Sequence, residues 1–121
     1  MDLNVTERII ALGLLQAPKG NLETLRAIGK ARSELVLTQE ECQAIGYRFD
    51  QATGAHTWAR DENPETAQAQ MAAASESVPI DIPQAALDYL AARLEALNAA
   101  GEMEESMLLL AEKFLPAAEA A

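Results

Sequence analysis

The chain has 121 residues, half of them apolar, and a formal net charge of −10. Its single cysteine excludes an intrachain disulfide framework, and with one histidine it offers too few soft ligands for a zinc site, which draws three or four mainly from Cys and His. The charge is unevenly divided: residues 1–60 balance seven acids with seven bases, whereas residues 61–121 carry twelve acids against Arg93 and Lys113. An acidic surface repels nucleic acid and anionic membrane and attracts basic surfaces.

The amino terminus has no basic segment of the kind that opens a signal peptide. The longest unbroken apolar run, Ile9 to Leu15, falls far short of the roughly 20 residues that cross a bilayer. The expectation is a cytoplasmic protein with no membrane association.

In chain order, Asn4 followed by Glu7 is a capping-box pair, and the helix it opens is apolar on nearly every side through Ile9, Ile10, Leu12, Leu14 and Leu15. Pro18 and Gly20 end it. Asn21 can cap a second helix with apolar residues at Leu22, Leu25, Ile28, Leu35 and Val36, and Thr38 with Glu41 opens a short third helix that Gly46 stops. Residues 47–60 then read as a β-hairpin, with Gly54 free to take positive φ at the turn. Two strands are marginal in water, so the hairpin must rest on helices or recruit a third strand. Val78–Ile82 alternates apolar and polar residues and can supply that strand, held to a sheet edge by Pro79.

Residues 61–82 read as an acidic linker. Within it, 66–74 has helix-forming composition but no large apolar stripe, so frayed or disordered chain is expected there. From Pro83 the pattern sharpens: Leu87, Leu90, Leu94 and Leu97 form one stripe, and after Gly101 a second runs through Met103, Met107, Leu110 and Phe114, ending at Pro116. Two such stripes joined by a short connection predict an αα-hairpin over 83–115, with a tail at 116–121. The fold expected is mainly α with a small β-hairpin: a three-helix-plus-hairpin domain at 1–60, in the order of a winged helix, then the αα-hairpin.

No catalytic constellation can be assembled. Cys42 and His56 are the only candidates for a nucleophile–base pair, and Glu40 and Glu41 beside Cys42 raise a thiol's pKa rather than activating it. Glu102, Glu104 and Glu105 lack the alternating ligands and glycine of a calcium loop, and no glycine-rich phosphate loop occurs. A non-enzyme without cofactor or metal is expected.

For binding, the leading candidates are Leu87, Leu90, Leu94, Met103 and Met107, with Glu102, Glu104 and Glu105 beside them, as a surface for a protein partner or for self-association. A bland reading competes: leucines at this spacing are more often the inside of a helical hairpin. A second possibility is a winged-helix-like DNA-binding regulator using Arg26, Lys30, Arg48 and Arg60; it is disfavoured by Glu40 and Glu41 on the would-be recognition helix. A third is an inhibitor whose acidic face imitates DNA.

The stretch from Glu7 to Leu15, followed by Gly20–Leu25 and then Leu37–Glu41, resembles the start of small proteins encoded in phage and prophage genomes, and Leu110–Phe114 is similar to their ends. The alanine-rich insert at 66–74 departs from that compact pattern. The resemblance implies a viral setting, in the host cytoplasm or the virion, and a role in virion assembly or against a host protein. It assigns no site residue.

Overall fold

Asn4 and Glu7 do what their spacing predicts. The Asn4 side chain accepts from the Glu7 amide at 3.0 Å, Glu7 accepts from the Asn4 amide at 3.0 Å, and helix α1 (Val5–Leu14) starts there. In this computed structural model the described residues are 1–16 and 18–119, with 116–119 described through their backbone alone. Asn21 caps α2 (Leu22–Leu35), and Thr38 with Glu41 forms a second full capping box at the head of α3 (Gln39–Ile45). Gly46, at φ 66°, takes the left-handed conformation that ends α3.

The hairpin follows, with strand β2 (Arg48–Asp50) paired antiparallel to β3 (Ala55–Thr57). Gly54 closes the turn at φ 71°, as expected. Both strands are largely exposed, and the hairpin is held at its ends. Tyr47 and Trp58 pack on a small cluster of Val5, Ile45 and Ala74, and the Ala59 amide donates to the Ile45 carbonyl at 2.8 Å.

Val78–Pro79 (β4) is a strand, but not the third strand of the hairpin. It pairs antiparallel with β1 (Asp2–Leu3), matching Leu3 to Val78, and the Ile80 amide extends the ladder to the Met1 carbonyl at 2.7 Å. Leu3 and Ile80 are thereby drawn into the main core, which the exposed hairpin could not have offered them.

The segment expected to be a frayed linker contains a helix, α4 (Pro64–Ser75). Asn63 caps it and Pro64 takes the first turn. It needs no large apolar stripe because it rests on α3 through Ala73 and Ala74, small enough for close approach.

α5 (Gln84–Ala100) and α6 (Leu108–Glu119) pack against each other, with Gly101 at φ 71° ending α5 and a single 3-10 turn at Glu105–Met107 leading into α6. Pro116 does not end the last helix, whose described backbone continues to Glu119; proline's fixed φ is itself a helical value, and what it lacks is one N–H. Among the described residues six α-helices and two two-stranded sheets make a mainly α fold with a small hairpin.

The fully buried side chains Leu3, Leu15, Ile28, Leu35, Leu90, Leu94, Leu110 and Phe114 belong to one cluster. It draws on both halves of the chain, because α5 packs on α2 as well as on α6. The αα-hairpin expected over 83–115 is therefore one wall of a shared core. Two charged residues accompany it: Arg8 and Glu7 are buried, Glu7 facing the Lys113 ammonium at 2.7 Å. No helix among the described residues is long and apolar enough to cross a membrane.

Candidate functional site

Of the leucines proposed as a partner surface, Leu90 and Leu94 are completely buried and Leu87 is half-buried against the same core. Their stripe is consumed by α2 and α6, so Leu90 and Leu94 are removed from the candidate surface. Met103 and Met107 are half-buried and pack on the core's edge, while Glu102, Glu104 and Glu105 are exposed around them.

The structure adds two residues that the spacing argument passed over. Leu108 and Leu109, at the first turn of α6, are 54% and 58% exposed. The signal was available: Leu108, Leu109 and Leu110 are consecutive, and successive helical residues point about 100° apart, so one buried face cannot take all three. Leu110 is the one inside. Within eight residues the α5–α6 connection thus presents three carboxylates and two bare leucines.

The four basic residues assigned to the DNA-binding alternative are treated differently by the fold. Lys30 approaches Asp81 at 3.8 Å and Arg26 stands exposed on α2. Arg48 and Arg60 instead line one cleft of about 520 Å³ between the hairpin and α4, which Arg26 and Lys30 do not line. Glu41, counted against DNA binding from the sequence, is turned onto Arg8.

A second concavity, of about 270 Å³, lies where α1, α3 and the hairpin meet; its apolar lining includes Ile9, Leu12, Val36 and Leu37. Cys42, Tyr47 and His56 share it, and the Tyr47 hydroxyl lies 2.5 Å from His56 Nδ1. Burial, and secondarily the neighbouring Cys42, pushes the Tyr47 hydroxyl's pKa above its ordinary 10.0. Proton donation by that hydroxyl would occupy Nδ1 and leave Nε2 as the ring's other hydrogen-bonding atom.

No family model, no curated protein and no solved structure matches the chain. Among the described residues no group of three or more His, Cys, Asp or Glu side chains is arranged to hold a metal ion.

Proposed function

We propose that this chain is a non-enzymatic protein-interaction module whose contact surface is the α5–α6 connection and the first turn of α6. The observation that carries this reading is the exposure of Leu108 and Leu109 beside Glu102, Glu104 and Glu105. Apolar side chains left in water gain by burial, and carboxylates around them select what can approach. The partner that fits is a protein segment presenting apolar residues among lysines and arginines. A second copy fits less well, because it would bring three like charges against three in a chain already at −10. In a phage or prophage setting, such a surface would serve virion assembly or engage a host protein.

The reading is tested with a fluorescent amphipathic Lys/Leu peptide followed by anisotropy. Binding should weaken as salt is raised, because screening shortens the reach of the carboxylates. A Leu108→Ser/Leu109→Ser double variant should weaken it further at every salt concentration. Binding indifferent to both salt and the double substitution would remove this surface from consideration.

A further inference from the structure

The cleft between the hairpin and α4 has a different chemistry from the acidic surface, and nothing in the interaction role uses it. Arg48 on β2 stands directly opposite Thr57 on β3, so the two side chains leave the same face of the hairpin. Two residues beyond Thr57, Ala59 adopts φ 57°, a left-handed conformation rare outside glycine, and the next residue, Arg60, lines the same cleft. Among the described residues neither guanidinium makes an ion pair, although the chain carries a large excess of carboxylates. Gln70 of α4 completes the lining.

From these groups we propose that the cleft binds a small phosphomonoester of a polyhydroxylated molecule. Two guanidinium forks suit a compact oxyanion better than any other partner, and the Thr57 hydroxyl adds a third donor. Asp61 and Glu62 line the same cleft and bring its formal charge to zero. That balance gives a polyanion no advantage, which sets nucleic acid aside. It favours a ligand whose single anionic group is taken by the arginines while its hydroxyls donate to Asp61 and Glu62. The volume of about 520 Å³ is that of a small-molecule site.

Isothermal titration of the full chain with a hexose monophosphate, inorganic phosphate, the free hexose and duplex DNA tests the proposal. The hexose monophosphate should bind saturably and more tightly than inorganic phosphate, with the free hexose weakest. Arg48→Gln and Arg60→Gln should each weaken it about tenfold, the loss of one charge-assisted contact. Asp61→Asn should tighten inorganic phosphate. Arg48 and Arg60 are exposed, so folding is expected to survive, with circular dichroism as the check. Should either variant unfold, Thr57→Val carries the same expectation with a smaller loss. Absence of saturable binding, affinity unchanged in the variants, or DNA binding more tightly than the hexose monophosphate would each overturn it.

Discussion

The guanidinium of Arg8 meets the carboxylate of Glu41 as a fork, Nη1 donating to Oε2 at 2.5 Å and Nη2 to Oε1 at 3.2 Å. The same side chain donates from Nε to the Leu35 carbonyl at 3.0 Å and from Nη2 to the Val36 carbonyl at 2.8 Å. One residue of α1 therefore fastens the end of α2 to the start of α3. Glu41 is fixed from its other side as well, accepting from the Thr38 amide at 2.9 Å in its capping box.

Removing Arg8 takes a donor from two carbonyls and leaves the Glu41 carboxylate with the Thr38 amide but no guanidinium. The Arg8 side chain is 4% exposed, so water does not simply replace it. Arg8→Ala should lower stability by about 3–5 kcal/mol, the usual cost of breaking a buried pair from one side. Glu41 is 32% exposed, and Glu41→Gln keeps a neutral acceptor, so its cost should be nearer 1–2 kcal/mol, on the order of one hydrogen bond to a charged group. Urea midpoints of the two variants give the order; a glutamine variant as damaged as the alanine one would refute it.

Acidity should act through the same pair. The hydrogen bond from Arg8 holds the Glu41 carboxyl below its ordinary 4.5, against burial, which raises it. With the folded value below the unfolded one, the unfolded chain takes up the proton first. The stabilisation is present above 4.5 and disappears as pH falls through the folded value. Urea midpoints of the wild type and Glu41→Gln should therefore converge as pH drops below about 4.5. A gap that stays constant into acid would mean that Glu41 ionisation contributes nothing.

Gly46 and Gly54 have nearly the same backbone, φ 66° and 71°, yet should differ in tolerance. A side chain at either costs about 1–2 kcal/mol for the left-handed conformation. At Gly54 nothing lies within 4 Å of an added Cβ, so Gly54→Ala should cost only that. At Gly46 the added Cβ would meet Gln70 Nε2 at 2.6 Å. Gln70 Nε2 is the far end of a flexible side chain, so Gly46→Ala should be the more destabilising of the two only by the cost of moving that carboxamide, and Gln70→Ala in the same chain should recover the difference. Thermal unfolding of the four proteins decides it, and equal losses at the two glycines would refute the contact.

These cases mark where the sequence was legible. The capping boxes at Asn4 and Thr38 and the stop at Gly46 are local: each side chain bonds within three residues or sets its own φ, so spacing alone reveals them. The β1–β4 pairing was hidden because two two-residue strands 75 positions apart leave no turn signal between them. The buried state of Arg8 was equally hidden, since its partners at Leu35, Val36 and Glu41 are far along the chain. α4 escaped because alanines packed against Ile45 leave no stripe of large residues to read. At the candidate surface the Leu87–Leu97 periodicity identified an apolar face, and Leu90 and Leu94 take the interior place that such spacing more often marks; that α2 covers them as well as α6 left no local signal.

That distinction is itself measurable, because buried and exposed leucines respond oppositely. Leu94 is completely buried among α2, α5 and α6, and its truncation to alanine removes contacts that the surrounding helices cannot fully restore. Leu94→Ala should cost about 2–5 kcal/mol and lower the thermal midpoint. Leu108 and Leu109 are more than half exposed, so Leu108→Ser and Leu109→Ser should stay within about 0.5 kcal/mol of the wild type while weakening partner binding. Stability and binding are then controlled by different residues on adjacent helices. If Leu108→Ser and Leu109→Ser destabilise the chain as much as Leu94→Ala, the two leucines are core residues. The α6 turn would then have no bare apolar side chain to offer a partner.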